Sequence, residues 1–444
     1  MNENSVSGDG HFNIVIVGGG AGGLELATAL SKRARRGLDS RIPPIRVTLV
    51  DKYLSHLWKP RLHEVAVGLQ SIAEAEISFP AHAYRHGYRF EWGGLDGIDV
   101  ANKSIDVAST FSVDNTVVLP RRTLSYDALV LAVGSDPNDF HTPGAKEHCL
   151  FLNDRNDAQR IRSILLSGLL RLARNLIPTL DVAVIGGGAT GVELAADLFR
   201  SSAHVGTYGG HIDPAALRVT VCDAASRLLA ANPPAVSQYA AEMMAQYGAT
   251  LRLNTRVSKV NAEALYTQDG DAIPAAIKIW TAGIKGPDLL SRLNAPGVQH
   301  DGRISVDDWL RTSDAAVFAM GDCAQWIDPD TQRPAPYTAQ VASAQAVYLA
   351  KTLIGSTQRE PVERFRFQSK GALVALGDKT AAGNLTSRWG RSRHEHILQG
   401  GSAKILYASL YREHQYRVLG PARTVAIILS DWLTQRTGPA LKLH

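Results

Sequence analysis

Two glycine-rich segments of the chain have the residue types and the spacing of loops that bind the diphosphate of a dinucleotide. Each contains the pattern G-x-G-x-x-G, follows a run of β-branched residues and opens a stretch of helix-forming residues. Glycines at these positions allow a tight turn and a close approach of the backbone to a pyrophosphate, whose charge the helix N-terminus favours. The glycines are Gly18, Gly20 and Gly23 in the first segment and Gly186, Gly188 and Gly191 in the second.

An acidic residue ends the next strand-like run after each glycine segment. These residues are Asp51 and Asp223. A carboxylate at this place can accept hydrogen bonds from the hydroxyl groups of a ribose. The separation from the glycines is longer than usual because polar or turn-rich inserts intervene at 31–44 and 206–215. The duplication predicts two nucleotide-binding βαβ units, and the alternative is two glycine-rich turns that bind no ligand.

The residues around Asp223 favour NADH over NADPH as the nucleotide of the second unit. A carboxylate there would repel a 2′-phosphate, and NADPH sites usually place an arginine close by. Here Ala224, Ala225 and Ser226 follow, and Arg227 is four positions away.

The elements that must position these residues predict an α/β protein with more than one domain. A chain of 444 residues is too long for a single core. Apolar runs that end at glycine predict buried strands, and apolar residues spaced by about four predict helices. Strands are expected at 126–133, 277–280 and 316–320, and helices at 156–176 and 336–353. From about Phe365 short strands precede two amphipathic stretches, which we interpret as a C-terminal region.

The composition limits the class of protein and the kinds of site that it can hold. Hydrophobic residues make up 45% and charged residues 20%, as in ordinary globular proteins, and a net charge of +5 does not indicate nucleic-acid binding. The three cysteines, Cys149, Cys222 and Cys323, form no Cys-x-x-Cys or Cys-x-x-x-x-Cys pair. This argues against a disulfide framework, a zinc site and a redox dithiol, and it fits a reducing cytosolic setting.

The sequence contains no segment with the pattern of a signal peptide, a membrane span or a metal site. The polar N-terminus, 1–10, lacks an apolar core and is predicted to be a flexible tail. A spanning helix needs about 18 or more apolar residues in a row, and no such run occurs. His394-Glu395-His396 lies in a basic stretch without other ligands nearby, so no metal role is predicted.

Several further segments are similar to one protein family. The chain resembles the FAD-dependent pyridine nucleotide-disulfide oxidoreductase superfamily, whose members have two dinucleotide-binding domains, and within it the type II NADH dehydrogenases. These are single-subunit NADH:quinone oxidoreductases. The resemblance covers residues 12–433. Besides both glycine segments and their acids, it rests on 56–68 with Lys59-Pro60, 126–135, 280–283, 317–324 and 336–342.

The resemblance implies a role for each of these residues. Glu193 would lie near the nicotinamide, and Lys59 would stabilise charge at the reduced flavin. Ala339 and Gln340 would lie where a quinone docks. The family usually has a second glutamine at the position of Ala344, which Gln345 follows here. FAD would be bound by Gly18, Gly20, Gly23, Asp51, Lys59, Gly134, Asp322 and Ala339, and NADH by Gly186, Gly188, Gly191, Glu193, Asp223 and Gly283.

Two of these residues also allow a plainer interpretation. Glu193 could be a solvated residue of the first helical turn that favours the helix dipole. Lys59 could be a surface cation beside a proline turn. Similarly, the segment from Thr338 onward could be an ordinary helix that packs on a sheet.

The implied function is FAD-dependent NADH:quinone oxidoreduction. A hydride would pass from NADH to FAD, and two electrons would then pass to a membrane quinone, without proton pumping because no spanning segment is present. The implied division is an FAD-binding domain at 11–135 and 290–355, an NADH-binding domain at 136–289 and a C-terminal region at 356–444 on the membrane and quinone side. Homodimers are known in the family, so a homodimer is expected.

The C-terminal region has the composition of a helix pair that lies on an anionic membrane surface. Apolar residues at 405–411 and 425–433 interleave with basic residues. Because quinones are lipophilic, this predicts peripheral attachment to the cytoplasmic side of the cell membrane. The alternative is a helix pair packed on the body or on a second subunit. The basic residues are Lys404, Arg412, Arg417, Arg423, Arg436 and Lys442.

The cysteine pattern separates this chain from related classes of flavoprotein. Disulfide reductases and sulfide:quinone reductases use redox cysteine pairs, and NADH peroxidases have a cysteine where Ser55 and His56 stand here. Two alternatives stay open: an NADH-dependent reductase of the ferredoxin or rubredoxin type, and a redox-sensing module that holds FAD and NADH without turnover.

Overall fold

The computed structural model describes residues 10–35, 44–207, 212–357, 362–389, 392–434 and 441. The predicted tail, apart from Gly10, lies outside these residues. Strands and helices are numbered in chain order within the described ranges.

The first part of the chain holds the first glycine segment and a small strand-rich insertion. Its strands are β1 (Phe12–Val17), β2 (Ile45–Asp51), β3 (Ser55–His56), β4 (Ile77–Ser78), β5 (Arg89–Trp92), β6 (Leu95–Asp99), β7 (Ser104–Val107), β8 (Thr110–Phe111), β9 (Val117–Leu119), β10 (Arg122–Ser125), β11 (Ala128–Leu131) and β12 (Asp136–Pro137). Its helices are α1 (Ala21–Ala34), α2 (Leu62–Ala66), α3 (Ile72–Ala75) and α4 (Phe79–His86), with a 3-10 turn at Lys59–Arg61.

The middle part holds the second glycine segment. Its strands are β13 (Leu150–Phe151), β14 (Leu180–Ile185), β15 (Leu217–Cys222), β16 (Thr250–Arg252), β17 (Val257–Val260), β18 (Ala264–Thr267), β19 (Ala272–Pro274), β20 (Ile277–Trp280) and β21 (Ile284–Lys285). Its helices are α5 (Ala145–His148), α6 (Arg155–Ala173), α7 (Ala189–Thr207), α8 (Pro234–Tyr247) and α9 (Asp288–Arg292), with a 3-10 turn at Pro214–Ala216.

The last part returns to the first sheet and then forms the C-terminal region. Its strands are β22 (Ile304–Val306), β23 (Val317–Ala319), β24 (Ala324–Asp328), β25 (Arg333–Pro334), β26 (Gly371–Ala375), β27 (Ala381–Trp389) and β28 (Ser392–Gly400). Its helices are α10 (Ala339–Thr357), α11 (Gly401–Leu419) and α12 (Pro421–Thr434), with a 3-10 turn at Gly321–Cys323.

Two five-stranded parallel sheets share one strand arrangement, which confirms the predicted α/β fold. The first has the order β23-β11-β1-β2-β5 and the second the order β13-β20-β14-β15-β16. In each, the strand before the glycine segment, β1 or β14, lies in the centre of the sheet. Because elements cover both faces of such a sheet, its strands are almost continuously apolar and buried, as in Ile14, Ile16, Val182 and Val184.

The outermost strand of the first sheet comes from a distant part of the chain. Strand β23 pairs with β11 in parallel, with Val317 opposite Leu129, and α10 packs along α1. The first unit is therefore assembled from two stretches of chain that are separated in the sequence, as in a discontinuous domain. The limits 11–135, 290–355 and 136–289 stay a prediction.

The two long helices that the sequence predicted each begin after a residue whose side chain caps the first turn. Helix α6 begins after Asp154, whose carboxylate accepts hydrogen bonds from Asn156 N–H and Asp157 N–H in a capping box. Helix α10 begins at Ala339 rather than Pro336, because the Thr338 hydroxyl accepts a hydrogen bond from Val341 N–H (3.3 Å) and so caps the helix.

The C-terminal region is an antiparallel meander, β26-β27-β28, followed by α11 and α12. Helix α11 packs on α1 of the first unit and on the meander. In the part of the chain that the structure describes, no helix combines the length and the hydropathy needed to cross a bilayer.

Candidate cofactor and catalytic site

The two glycine loops have the same geometry. Gly18 and Gly186 have φ angles of +105° and +114°, a region that only glycine adopts without strain. A Cβ atom on Gly23 or Gly191 would lie 1.9 Å from the carbonyl oxygen of Gly18 or Gly186, so these glycines let the helix approach the strand. The loops are thus tight turns between β1 and α1 and between β14 and α7.

The middle glycines of the motif face open space at the start of each helix. A Cβ atom added to Gly20 or Gly188 would meet no other atom within 4 Å. Free backbone N–H groups of the first helical turn attract anions at such a position. Both loops therefore fit the pyrophosphate of a dinucleotide.

The two acids that follow are fixed by backbone N–H groups and keep acceptor capacity. Gly19 N–H donates to Asp51 Oδ2 (2.6 Å) and Tyr53 N–H donates to Oδ1 (2.8 Å). In the second unit Gly187 N–H and Ala225 N–H donate to Oδ2 and Oδ1 of Asp223. A carboxylate accepts about four hydrogen bonds, so each can also bind ribose hydroxyls.

The guanidinium of Arg227 is bonded to groups of the segment that follows Asp223. Its guanidinium donates to the carbonyl oxygens of Asn232 (2.7 Å) and Ala230 (2.6 Å) and to the Ser237 hydroxyl (2.5 Å). With its guanidinium already bonded, Arg227 is poorly placed to bind a 2′-phosphate.

Three segments that the sequence associated with FAD meet in one place. Lys59 Nζ donates to Asn153 Oδ1 (2.7 Å) and lies 3.5 Å from Ser135 Oγ. The Ser135 hydroxyl donates to Asp322 Oδ2 (3.1 Å). Desolvation by the surrounding chain lowers the pKa of Lys59, and the nearby Asp322 opposes this shift. The cluster brings a cation and a carboxylate together beside Gly134, where an added Cβ would have no neighbour within 4 Å.

The start of α10 lies against this cluster. Gln345 is buried, and its side-chain oxygen accepts a hydrogen bond from Gly321 N–H (2.7 Å). A glutamine thus reaches the loop before Asp322 from a position one residue later than the family pattern. Gln340 Oε1 accepts a hydrogen bond from Lys370 N–H (2.9 Å), which ties the start of α10 to the C-terminal region.

Glu193 is buried, with 6% of its surface exposed. The interpretation of Glu193 as a solvated first-turn residue is therefore wrong. Its Oε1 accepts a hydrogen bond from Ala375 N–H (2.9 Å) of β26, and the Tyr407 hydroxyl of α11 is a second partner. Burial raises the pKa of Glu193, and the nearby His63 and these hydrogen bonds oppose that rise. The carboxylate lies where the second unit meets the C-terminal region.

Sequence reasoning missed a buried histidine beside Glu193. His63 lies in α2, four residues after Lys59, and its ring is within 3.4 Å of Glu193 Oε2. Both residues stood in segments used for the family resemblance, but no local pattern pairs them, because 130 positions separate 63 from 193.

Sequence reasoning also missed a second buried cluster, which lies next to the first glycine loop. His414 of α11 bonds Glu25 Oε1 through Nδ1 (2.7 Å) and His56 Nε2 through Nε2 (3.1 Å). His56 Nδ1–H donates to the carbonyl oxygen of Gly19 (2.8 Å). Burial lowers the pKa of His56 to about 3, so its ring is neutral, and because Nδ1–H donates to Gly19, Nε2 is the acceptor in the hydrogen bond with His414. The C-terminal helix is thereby tied to the first glycine loop.

Gly283 lies at the end of β20 next to the second loop. It has a φ angle of +68°, and a Cβ atom would lie 2.5 Å from Cζ of Phe140. Its carbonyl oxygen accepts a hydrogen bond from Asn138 N–H (3.2 Å). Its predicted role in NADH binding stays a prediction.

Among the described residues, neither the cysteines nor a group of metal ligands forms a further site. Cys149, Cys222 and Cys323 are buried free thiols, and burial raises the pKa of Cys323 to about 11. Within the described ranges no group of three His, Cys, Asp or Glu side chains could hold a metal ion. The side chains of His394 and Glu395 lie outside the description.

Comparison with known proteins gives consistent matches over nearly the whole chain. The sequence pattern of the family described as pyridine nucleotide-disulphide oxidoreductase matches residues 12–346. A type II NADH:quinone oxidoreductase of Haemophilus influenzae is 35% identical over 97% of this chain and 100% of its own length. The type II NADH:quinone oxidoreductase Ndh of Mycobacterium tuberculosis is 27% identical over 84% of this chain and 79% of its own. A structure of NDH2 from Plasmodium falciparum in complex with NADH has a TM-score of 0.78 at 19% identity, covering 98% of this chain and 100% of that one.

Proposed function

We propose that this chain is an FAD-dependent enzyme that oxidises NADH and reduces a quinone. The premise is that the chain belongs to the pyridine nucleotide-disulphide oxidoreductases and, among them, to the type II NADH:quinone oxidoreductases. The observation that carries this proposal is the pair of matching glycine loops, each with open space at its middle glycine and a carboxylate with spare acceptor capacity. One loop serves the resident cofactor and the other the substrate.

The residues of the first unit fit FAD. The backbone at Gly20 would bind the diphosphate and Asp51 the adenosine ribose. Asp322, held by Ser135, would accept hydrogen bonds from the ribityl hydroxyls. Bound FAD would supply the redox chemistry, accepting a hydride and releasing two electrons. Lys59 would contribute a positive charge beside it, together with Gly134 and the N-terminus of α10 at Ala339.

The residues of the second unit fit NADH. Gly188 and its neighbours would bind the pyrophosphate, Asp223 the adenosine ribose, and Gly283 the edge of the nicotinamide half. Glu193, two residues after Gly191, would face the nicotinamide. The quinone would bind near Ala339 and Gln340, between α10 and the meander, where Gln340 already bonds Lys370.

NADPH is expected to be a poor substrate. The Asp223 carboxylate would face the 2′-phosphate, and like charges brought together in this way cost several kcal/mol. We expect kcat/KM for NADPH to be roughly 10²-fold or more below that for NADH. Steady-state rates at low nucleotide concentration measure this ratio. Asp223→Asn should lower the ratio of kcat/KM for NADH to kcat/KM for NADPH, and Asp213→Asn, at an exposed position, should leave this ratio unchanged. Equal kcat/KM values of the wild type for the two nucleotides would contradict the assignment.

The proposed activity can be tested on the purified protein. It should be yellow, and its flavin absorbance should bleach on anaerobic mixing with NADH and return on addition of a short-chain quinone. A ferredoxin and oxygen serve as comparison acceptors. A colourless protein that takes up no flavin, or a flavin that NADH does not reduce, would rule out the proposal. Bleaching with no reoxidation by any acceptor would instead support a redox-sensing module.

The C-terminal helix α12 supports attachment to a membrane surface. Its apolar residues Val425, Ile428, Leu429 and Leu433 are exposed and share a face at helical spacing. We propose that this face lies in the bilayer interface, on the cytoplasmic side, where quinone is available. The homodimer stays a prediction of the family resemblance.

The basic side chains of the C-terminal region support this attachment less strongly than their number in the sequence suggests. Arg412 pairs with Asp431 (2.6 Å) and Arg417 with Glu413 (2.9 Å). Lys404 Nζ donates to the carbonyl oxygen of Gly377 (3.0 Å), and Arg436 and Lys442 lie outside the described residues. Apolar burial rather than charge should therefore dominate binding.

Leu429→Glu is expected to weaken binding to lipid vesicles. Leu429 is 57% exposed, and burial of a leucine side chain contributes about 1.5–3 kcal/mol. We expect the vesicle partition coefficient in co-sedimentation to fall by roughly tenfold or more. The matched control is Leu170→Glu on α6, since Leu170 is 52% exposed. Equal binding by the two variants, or binding only to anionic vesicles, would contradict the proposed role of α12.

A further inference from the structure

Three ionisable side chains form a buried row between α2 and α7. His63 Nδ1–H donates to Asp197 Oδ2 (2.9 Å), and His63 Nε2 lies 3.4 Å from Glu193 Oε2. None of the three exposes more than 6% of its surface. Glu193 and Asp197 are four residues apart in α7 and so lie on the same face of that helix.

The row crosses between the two parts of the proposed active site. Helix α2 directly follows the turn that contains Lys59, whereas α7 begins at the second glycine loop. His63 therefore joins the segment beside the proposed flavin site to the helix of the nucleotide substrate. A purely packing role would be filled by an apolar residue at no cost of burying charge.

The surroundings of the second ring nitrogen of His63, Nε2, indicate a role for the proton on that nitrogen. Nε2 is buried and, among the described residues, has no hydrogen-bond partner of good geometry, while Glu193 Oε2 is close by. Two buried carboxylates on one helix face repel each other, and a cation between them removes that repulsion. Burial alone would lower the pKa of His63, but Glu193 and Asp197 outweigh it and raise that pKa to about 9.

Other charged groups around the row are largely paired with one another. Glu64 of α2 is held by Arg61 and also faces Lys404 of α11. Arg200 of α7 lies 4.0 Å from Asp197 and 3.0 Å from Asp378. On the C-terminal side, the hydrogen-bond partners of Glu193 among the described residues are the Tyr407 hydroxyl and Ala375 N–H. Among the described residues, His63 is therefore the basic side chain that lies within ion-pair distance of Glu193.

We propose that His63, anchored by Asp197, is a positioning residue that keeps Glu193 ionised and fixed for the oxidation of NADH. The inference rests on the proposed function. As the hydride leaves NADH with its two electrons, the nicotinamide ring becomes positively charged, and an ionised Glu193 stabilises that charge. His63 touches neither substrate nor cofactor and acts through Glu193.

The first test compares the pH dependence of kcat/KM for NADH in the wild type and in His63→Gln. Loss of the cation raises the pKa of Glu193, so the acid limb should move to higher pH by about one unit or more. Activity below that limb should then fall about tenfold, while the two proteins converge above pH 9, where His63 of the wild type is itself neutral. The control is His82→Gln, since His82 is equally buried but bonds Tyr88 and Val418 instead.

The second test needs no turnover. Because the pKa of His63 is raised in the folded state, its contribution to stability is present below the unfolded value of about 6.5 and is lost as pH rises towards 9. The difference in Tm between wild type and His63→Gln should therefore shrink between pH 6.5 and 9. The pKa of His82 is lowered, to about 4, so its variant should show a constant difference over this range.

The outcomes separate this inference from the proposed function. A wild type that does not oxidise NADH refutes the function, whereas a wild type that turns over with an unshifted limb in His63→Gln overturns the role of His63. Should the variant not fold, histidine-selective NMR of the wild type decides. An imidazolium that persists above pH 8 supports the inference, and its absence overturns it.

Discussion

Glu193→Gln is expected to lower kcat/KM for NADH by about 10²-fold or more, the range typical of a lost charged catalytic group, while the protein keeps its FAD. Glutamine has the same shape, and its side-chain oxygen can still accept the hydrogen bond from Ala375 N–H. What it lacks is the negative charge that stabilises the oxidised nicotinamide. Stopped-flow measurement of flavin bleaching by NADH isolates this step from quinone reduction.

The matched control is Glu242→Gln, which replaces an exposed glutamate of α8 whose carboxylate accepts a hydrogen bond from the Gln238 side chain. It should bleach at the wild-type rate. A normal bleaching rate in Glu193→Gln with slowed reoxidation by quinone would move Glu193 from the NADH step to the quinone step. Normal rates in both steps would remove it from the catalytic residues.

Features that depend on neighbouring residues could be predicted from the sequence. The glycine loops, the strands before them and the acids after them are local patterns, because turn geometry and strand burial act over a few residues. Hence Gly18 and Gly186, with their left-handed backbone, and Asp51 and Asp223, with their backbone donors, lie as the pattern indicates. The repeat of the pattern also predicted two sheets of the same kind.

Contacts between distant segments could not be predicted in this way. His63 and Asp197 are 134 positions apart, and Glu25 and His414 are 389 apart. Their pairing depends on how α2, α7, α1 and α11 pack, which no periodicity encodes. The two glutamates occupy equivalent places, each two residues after the last glycine of its loop. That equivalence was the one sequence feature that could have directed attention to Glu25 as well as Glu193.

Helix phase and ion pairing account for two further differences. The family pattern places a glutamine at 344, but on α10 the neighbouring Gln345 is the residue that reaches Gly321 N–H. The basic residues of the C-terminus looked like a membrane-binding surface, whereas Arg412 and Arg417 pair with carboxylates across or along their helices. Charge counted along a sequence does not show which charges neutralise one another.

The pair of variants Gly20→Val and Gly188→Val is expected to remove the two nucleotides one at a time. At neither position would an added Cβ meet another atom within 4 Å, and neither glycine has a left-handed backbone, so both variants should fold. Each valine, however, fills the space that the proposed diphosphate needs. Loss of two charge-assisted hydrogen bonds, at about 1.5–3 kcal/mol each, should weaken binding roughly 10²- to 10⁴-fold.

The two variants therefore act as controls for each other. Gly20→Val should be isolated without yellow colour, and Gly188→Val should keep its FAD absorbance but require far more NADH for the same rate of bleaching. Because the loops have the same geometry, only the identity of the bound nucleotide distinguishes them, and a general loss of stability would affect both variants alike. If Gly188→Val were colourless and Gly20→Val yellow, the assignment of the two units would be reversed. Normal cofactor content and normal kinetics in both variants would show that neither loop binds a diphosphate.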